Sequence, residues 1–359
     1  MSVGLVRLGS FEVEASEGFV AWLAEHGVSI LFGRADNLMV VGRHDDELRV
    51  DPVTMPAVGG LAVDGRRLVL SNPFQVWSYD DGLAAGTTTD SGHDAVLLPY
   101  AGVVVGGAGV IDIGLLADGS VVMASPRFSC LSTPIDGMSF RPLWMPRWVS
   151  ALRPDERSPV SGVGVRDGVA TTATLLACGD GEAPWREGRA TSGAVVDVVA
   201  DEVVANGLAM PSSPRWHDGR LWFTQSGTGE LCTIDSDDSV VPVVGLPTFL
   251  RGLAFVGPYA VVGGSGSRWD SLVEGLPIDD RLAAGQARPE QGLWVVDTRS
   301  GEVVHRLEVE GTGREVHSIA AYPARRPQLF SPTDNELQTL VAYDASWDPD
   351  VARASFGRP

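Results

Sequence analysis

The stretch that decides the fold is GGLAVDGRRLVLSN, residues 59–72, in which two apolar runs flank an Asp-Gly turn. Glycine supplies the positive φ that a tight hairpin needs, so this stretch predicts two short antiparallel strands. Five similar units follow: IDIGLLADGSVVMASP (111–126), SGVGVRDGVATTATLL (161–176), SSPRWHDGRLWFTQSG (212–227), RGLAFVGPYAVVGGSG (251–266) and HSIAAYPARRPQLFSP (317–332). Their turns are 39 to 66 residues apart, and four of the six units carry Asp-Gly there.

A period of about 50 residues is typical of a β-propeller blade. We therefore predict an all-β fold, a six-bladed β-propeller with about four antiparallel strands per blade. The apolar runs VSILFGR (28–34), NLMVVGRH (37–44) and ELRVDP (47–52) precede the first unit, and we expect these N-terminal strands to complete the last blade and close the ring. The alternatives are a pair of β-sandwiches, which would not explain the period, and a solenoid, whose units are usually shorter.

Helical patterns are confined to residues 14–26, to a turn at 277–284 and to the last twenty residues. This divides the chain into an N-terminal segment with a short helix (1–26), the propeller (27–332) and a C-terminal tail (333–359).

Composition excludes several classes of partner. The net charge of −19 argues against nucleic acid and against anionic membranes, because both attract basic surfaces. The three cysteines, Cys130, Cys178 and Cys232, are too far apart for a CxxC pair and fit a reducing compartment. The chain shows no secretory leader pattern and no apolar run long enough to span a membrane, so we expect a cytoplasmic protein.

The candidate site residues lie where the repeat units begin. The first strand of each propeller blade lines the central channel, and ligands usually bind on the face where these strands start. We predict Asp112, Arg215 and His317 as acid–base catalytic residues. Ligand-binding roles are predicted for Arg127, Arg147, Trp148, Trp185, Ser212, Ser213 and Arg251.

An arginine-rich rim on an acidic protein indicates a small-molecule substrate that is carboxylated or otherwise anionic, because arginine holds carboxylates in a bidentate fork. The alternative is structural: the arginines pair with carboxylates between blades, and Ser213 and Arg215 bond backbone groups there.

Metal and cofactor chemistry is poorly supported. The six histidines form no HxH or HExxH pattern, and His217 lies beside an Asp-Gly turn, where we expect a solvated side chain. Calcium sites of lactonase-type propellers use acidic and amide side chains from several inner strands, and only Asp112 is so placed. We therefore predict no metal and no cofactor.

Several ordered phrases resemble one known family. They are RFSCL (127–131), MPSSPR (210–215), SGTGEL (226–231), RGLAF (251–255), GLPI (275–278) and GLWVVDTRSGEVV (292–304). Together they resemble a bacterial family of conserved hypothetical proteins, the domain of unknown function 4915, over about residues 27–330. The resemblance implies a propeller and brings no established activity.

The departures from the family pattern are also informative. The family phrase MPHSPR has histidine where this chain has Ser212, and IHDIAW has histidine where it has Ile111. CHLNGLAL has His and Asn where this chain has Pro159 and Ser161. The resemblance therefore implies a divergent member with a remade pocket. The matching polar positions, which are the best pocket candidates, are Arg127, Ser213, Arg215, Glu230 and Arg251.

Two functional hypotheses follow. The first is a metal-independent enzyme of isomerase, cyclase or lyase type from bacterial secondary metabolism, with its pocket at the channel mouth. The second is a non-catalytic propeller that binds a ligand or serves as a protein-interaction scaffold. If the site is catalytic, Arg215→Ala and Asp112→Asn should abolish turnover and leave the melting temperature nearly unchanged. Loss of folding in both would remove them from the site.

Overall fold

A computed structural model describes residues 4–8, 11–34, 36–55, 57–266, 275–311 and 315–338. Its strands form six sheets arranged in a ring, as the repeat predicts, and all their strand pairs but one are antiparallel in the described residues. The chain begins with β1 (Gly4–Leu8), β2 (Phe11–Ala15), α1 (Phe19–His26), β3 (Ser29–Arg34), β4 (Asn37–His44) and β5 (Glu47–Thr54).

Four complete blades follow in chain order. Blade 1 contains β6 (Gly60–Asp64), β7 (Arg67–Ser71), β8 (Gln75–Asp81) and β9 (Ala95–Val104). Blade 2 contains β10 (Asp112–Leu115), β11 (Val121–Ser125), β12 (Cys130–Ile135) and β13 (Met138–Trp144). Blade 3 contains β14 (Val160–Arg166), β15 (Val169–Leu175), β16 (Gly193–Asp197) and β17 (Glu202–Leu208), with α2 (Trp185–Gly188) between β15 and β16. Blade 4 contains β18 (Pro211–His217), β19 (Arg220–Gln225), β20 (Glu230–Ile234) and β21 (Val240–Gly245).

The last two blades use both ends of the chain. Blade 5 contains β22 (Phe249–Val256), β23 (Tyr259–Ser265), β24 (Gly292–Asp297) and β25 (Val303–Gly311), with α3 (Pro277–Ala284) between β23 and β24. Blade 6 places β26 (Ile319–Tyr322) beside β3, β4 and β5, so the N-terminal strands close the ring as predicted. The strand β27 (Pro327–Leu329) and a short 3₁₀ helix (Asn335–Gln338) follow.

The sixth repeat unit is not a hairpin, which corrects the prediction from the sequence. Its first run, β26, pairs with β3 instead of with its own second run. The second run, β27, pairs parallel to β9 on the outer edge of blade 1. The apolar pattern alone could not show this, because a buried run reads the same whichever strand it pairs with.

The first helix begins later than the sequence suggested. Residues Phe11–Ala15 form β2, which pairs with β25 and, with β1, extends blade 5 to six strands. The helix α1 therefore spans only Phe19–His26 and ends at Gly27, whose φ of +62° is that of a left-handed cap. The predicted turn at 277–284 is the helix α3. Helix in the last twenty residues lies outside the described residues.

The core is divided among the blade boundaries. Each pair of neighbouring blades encloses its own cluster of buried apolar side chains, and the largest is between blades 5 and 6, where α1 also packs. Phe19 and Leu23 of α1 are fully buried in that cluster. The ring thus depends on contacts between blades as much as on the hydrogen bonds within each sheet. No helix in the described ranges has the length and apolar character needed to cross a membrane.

His305 makes the stability of this boundary depend on pH. Burial lowers the pKa of His305, whose ring lies 6.3 Å from those of Phe19 and Trp22. The unfolded chain then binds the proton more readily, so stability is lost as the pH falls through about 6.5 towards the lower folded pKa. We expect His305→Gln to reduce the fall in unfolding free energy between about pH 7.5 and about pH 5, measured by urea unfolding. Identical curves for both proteins would contradict this.

Candidate functional site

The central channel has two ends, defined by the direction of its six inner strands. These strands are β6, β10, β14, β18, β22 and β26. We call the end where they begin the upper end and the end where they finish the lower end. Asp112 lies at the upper end of β10 and His317 just before the upper end of β26, whereas Arg215 lies two residues before the lower end of β18. The Asp-Gly turns also lie at the lower end.

Asp112 and Arg215 form a bidentate ion pair across three blades. Arg215 Nη2 donates to Asp112 Oδ1 at 2.7 Å, and Nη1 donates to Oδ2 at 2.9 Å. Between them, in blade 3, the Val163 N–H donates to Asp112 Oδ2 at 3.0 Å, and the Val163 carbonyl accepts from Arg215 Nη1 at 3.2 Å. Blades 2, 3 and 4 are therefore joined by one carboxylate and one guanidinium.

The environment of this pair favours a structural role. The side chain of Asp112 is 6% exposed and that of Arg215 is 21% exposed. Burial alone would lower the pKa of Arg215, but the charge and hydrogen bonds of Asp112 raise it above its usual value. Since the guanidinium fork already holds a carboxylate, a substrate carboxylate would have to displace Asp112 to bind there.

Ser212 and Ser213 are also bonded within the protein. Ser212 Oγ lies 2.8 Å from Thr224 Oγ1 and 3.2 Å from Ser226 Oγ, in a buried group of hydroxyls. Ser213 Oγ accepts the N–H of Gly252, in the inner strand of blade 5, at 3.1 Å. Ser213 has a φ of +52° at a bulge in β18, which directs its side chain to that neighbour. The geometry thus matches the alternative in which Ser213 and Arg215 bond groups between blades.

Arg251 and His317 meet at the upper end, between blades 5 and 6. Arg251 Nη1 lies 3.4 Å from His317 Nδ1, and His317 Nε2 lies 3.3 Å from Glu315 Oε2. The imidazole is 18% exposed and the carboxylate 20% exposed. We call these three residues the upper cluster. Glu315 was not among the predicted site residues, although its position two residues before His317 was a usable signal for a side chain on the same face of an extended segment.

Trp148 lies on the loop between β13 and β14, and Trp185 is the first residue of α2. Trp148 Nε1 donates to Ser158 Oγ at 2.9 Å, and Trp185 Nε1 donates to Glu156 Oε2 at 2.9 Å. Both indoles therefore hold the segment between β13 and β14 in place. Nothing in these contacts brings them to the upper cluster.

Arg127 and Arg147 are exposed at their loops. Arg127 Nη1 donates to the Gly107 carbonyl at 3.1 Å, and the Arg127 carbonyl accepts from Glu156 N at 3.2 Å. Arg147 makes no hydrogen bond or ion pair with the residues that the structure describes. The structure therefore pairs Asp112 with Arg215 and Arg251 with His317, and leaves the other predicted ligand residues in separate places.

A funnel of about 730 Å³ lies at the lower end of the channel. All six inner strands line it, and its half-buried apolar side chains include Val63, Leu115, Val165, Phe255 and Ala321. Its ionisable lining residues are Asp64, Asp118, Arg215 and His217. The sequence predicted a pocket at the upper end. Neither Glu230 nor any of the ten predicted catalytic and ligand-binding residues except Arg215 lines this funnel.

His217 is not the solvated turn residue that the sequence suggested. Its side chain is 19% exposed, and its ring stacks on Phe255 with the ring centroids 4.1 Å apart and the planes at 7°. Nε2 is buried and forms no hydrogen bond with the described residues, although Asp218 Oδ2 lies 3.5 Å away. The prediction was wrong because the partner ring comes from blade 5, which lies 38 residues further along the chain.

The side chains present limit the possible chemistry. Within the described ranges, no group of three or more His, Cys, Asp or Glu residues could hold a metal ion. Burial raises the pKa of Cys130 and of Cys232 to about 12, so both thiols stay protonated at neutral pH and are poor nucleophiles. Proton transfer by histidine or carboxylate is the chemistry that this channel could support.

Comparisons with known proteins agree with the fold. No curated protein matches the chain. Among solved structures, a chain of the nidogen/laminin complex is 11% identical with a TM-score of 0.51, covering 83% of this chain and 99% of its own. A protein of unknown function from Bacteroides caccae is 12% identical with a TM-score of 0.48, covering 82% and 98%. Virginiamycin B lyase from Staphylococcus aureus is 8% identical with a TM-score of 0.37, covering 83% and 99%. At 11% identity the likeness to the nidogen/laminin chain concerns the fold alone.

The family comparison is more specific. The family described as "Domain of unknown function (DUF4915)" matches residues 17–330, which include all of the inner strands and both channel ends. The ordered phrases from RFSCL to GLWVVDTRSGEVV lie inside this range. The chain therefore belongs to the DUF4915 family.

Proposed function

We propose that this propeller binds a small anionic molecule at the upper end of its channel and acts on it as a metal-independent acid–base enzyme. The observation that carries the proposal is the upper cluster, in which His317 lies between the Arg251 guanidinium and the Glu315 carboxylate. A proton-transferring imidazole oriented by a carboxylate and set beside a cation is a recurring catalytic arrangement. Isomerase, cyclase and lyase reactions that begin with proton abstraction all fit it.

Each side chain of the upper cluster would have a distinct role. Donation from Arg251 to Nδ1, with the Glu315 carboxylate 3.3 Å from Nε2, favours the neutral tautomer of His317 that carries its proton on Nε2. A bound carboxylate would attract the Arg251 guanidinium and free Nδ1 to accept a proton from the substrate. Arg251 would then be the anion-binding residue and Glu315 the group that orients the imidazole.

A deuterium wash-in experiment with a panel of acids tests the proposal while the substrate is still unidentified. Purified protein is incubated in D₂O with unsaturated, hydroxy and keto carboxylic acids, and exchange at carbon is followed by NMR. We expect catalysed exchange for one structural group of acids, and a loss of about 100-fold or more in His317→Gln, the usual contribution of general acid–base catalysis. Arg251→Gln should weaken binding of the same acid by about tenfold or more, since it removes a charge-assisted hydrogen bond.

The matched control is His93→Gln, which removes an imidazole from the loop between β8 and β9. His93 Nδ1 lies 2.9 Å from Ser91 Oγ there, and we expect exchange at the rate of the parent protein. Exchange that survives His317→Gln would exclude this residue as the base. Absence of exchange with every acid, despite measurable binding, would favour the non-catalytic ligand-binding alternative.

A further inference from the structure

We infer that the lower funnel is a second binding site, which takes an organic cation with an apolar body. This second site is separate from the proposed function and from the upper cluster, since none of the three cluster residues lines the funnel. Its volume of about 730 Å³ is within the range of roughly 300–1,000 Å³ that is typical of small-molecule sites. The inference depends on the walls, on the charges at the rim and on the stacked ring of His217.

The walls suit an apolar group. The inner strands present Val63, Leu115, Val165 and Ala321 to the funnel, and each of these side chains is only half-buried. They keep accessible apolar surface that a ligand could remove from water. The Phe255 ring adds an aromatic surface, and His217 covers one of its faces.

The charges at the funnel favour a cation. Asp64 and Asp118 are exposed and belong to its lining. Among the described residues, the only guanidinium in the lining belongs to Arg215, whose charge is already offset by Asp112. Any charge on His217 is similarly balanced by Asp218, 3.5 Å away. The uncompensated charge of the lining is therefore negative.

Hydrogen bonds join the hairpin turns of blades 1, 2 and 3 around the opening, and these turns carry Asp64, Asp118 and Asp167. Arg67 Nη1 donates to the Gly119 carbonyl at 2.9 Å, which links the turns of blades 1 and 2. Ala117 N donates to the Gly168 carbonyl at 2.9 Å, which links blades 2 and 3. Asp167 and Asp218, in the turns of blades 3 and 4, lie 3.8 Å from Arg166 and 3.5 Å from His217. Among the described lining residues, the carboxylates without an ion-pair partner are therefore Asp64 and Asp118.

Three other arginines near the rim do not line the funnel, so the charge of its lining stays negative. One of them is Arg67, whose guanidinium joins the turns of blades 1 and 2. The Arg166 guanidinium lies over the Trp216 ring at 4.5 Å and is 3.8 Å from Asp167. Both Arg166 and Arg220 line a separate groove between blades 3 and 4 instead of the funnel. A cation entering the funnel would therefore meet carboxylates first and apolar side chains below them.

Three probes with the same apolar body test this inference. They are 3-phenylpropylammonium, 3-phenylpropanol and 3-phenylpropanoate, titrated into the full chain at low salt and followed by NMR. We expect the cation to bind about fivefold or more tightly than the neutral alcohol, and the anion to bind most weakly, as rim carboxylates require. The cation should shift the imidazole Hε1 signal of His217 and leave that of His317 in place. The two signals are assigned from His217→Gln and His317→Gln.

Two charge variants test whether the affinity for the cation depends on the rim carboxylates or on the net charge of the whole chain. Asp64→Asn/Asp118→Asn should weaken binding of the cation about fivefold or more and should leave the alcohol unaffected. Asparagine is suited to Asn-Gly hairpin turns, so the fold should be kept. The control Asp136→Asn/Asp235→Asn removes the same charge from exposed residues of two hairpins on the same face, further from the channel, and should change neither affinity.

Several outcomes would overturn the inference. They are equal or tighter binding of the alcohol or the anion, no binding of the cation at millimolar concentration, and an equal loss of affinity in the control double variant. A shift of the His317 signal instead of the His217 signal would place the cation at the other end. Because His317→Gln should leave cation binding unchanged, failure of this site and failure of the proposed function can be told apart.

Discussion

Replacing Asp112 with alanine will lower the free energy of unfolding by about 3 kcal/mol or more, because it leaves the Arg215 guanidinium without its buried partner. The change also removes the acceptor of the Val163 N–H. Arg215→Ala should cost a similar amount, since it leaves the Asp112 carboxylate buried and unpaired. Urea unfolding of both variants measures these changes.

The double variant tests whether Asp112 and Arg215 stabilise the fold as a pair or independently of each other. Asp112→Ala/Arg215→Ala should cost clearly less than the two single changes together, because neither charge is left unpaired. Asp112→Asn should be milder than Asp112→Ala, since an amide oxygen can still accept from Val163 N. Single changes of under about 1 kcal/mol would contradict the structural role and make the pair catalytic candidates again.

Replacing Tyr322 with alanine will have the second large effect on stability, a loss of about 3–5 kcal/mol typical of deleting a buried aromatic ring. Tyr322 is fully buried in β26, the strand that closes the ring, and its hydroxyl donates to the Arg66 carbonyl of blade 1 at 2.9 Å. Tyr322→Phe keeps the ring and removes this hydrogen bond, so it should cost about 1 kcal/mol. Thermal and urea unfolding should rank the variants in this order.

Tyr79 offers a matched control at the same blade boundary. It is also fully buried, but its hydroxyl is buried and has no hydrogen-bond partner among the described residues. Tyr79→Phe should therefore leave stability unchanged or raise it, because it removes an unsatisfied polar group. A larger loss in Tyr79→Phe than in Tyr322→Phe would mean that the hydroxyl of Tyr322 does not hold blade 6 to blade 1.

The fold was predictable because it depends on local patterns repeated along the chain. Asp167-Gly168 and Asp218-Gly219 have positive φ at both residues, the conformation that two-residue hairpin turns require. Such a turn between apolar runs determines a hairpin without help from distant residues. The exception was β27, whose partner β9 lies more than 200 residues earlier and is chosen only by packing.

The candidate site was less predictable because its roles depend on which side chains meet. Asp112 and Arg215 have the residue types of a catalytic pair, but a distance of 2.7 Å between them makes each the partner of the other. His217 and Phe255 are 38 residues apart, and no spacing rule in the sequence joins them. The residue type determines which interactions a side chain can make, and its neighbours in the fold determine which of these it makes.

The sequence by itself determined the six-fold repeat, the turn chemistry, the closure of the ring by the N-terminal strands and the family. These follow from apolar periodicity, from glycine at turns and from ordered phrases, all of which act over short stretches of chain. Only the tertiary structure decided that Asp112 and Arg215 hold three blades together and that His317 lies beside both Glu315 and Arg251. It also decided that an acidic funnel opens at the lower end. The physical reason is that hydrogen bonds, ion pairs and cavities depend on distances between blades, which ring closure sets.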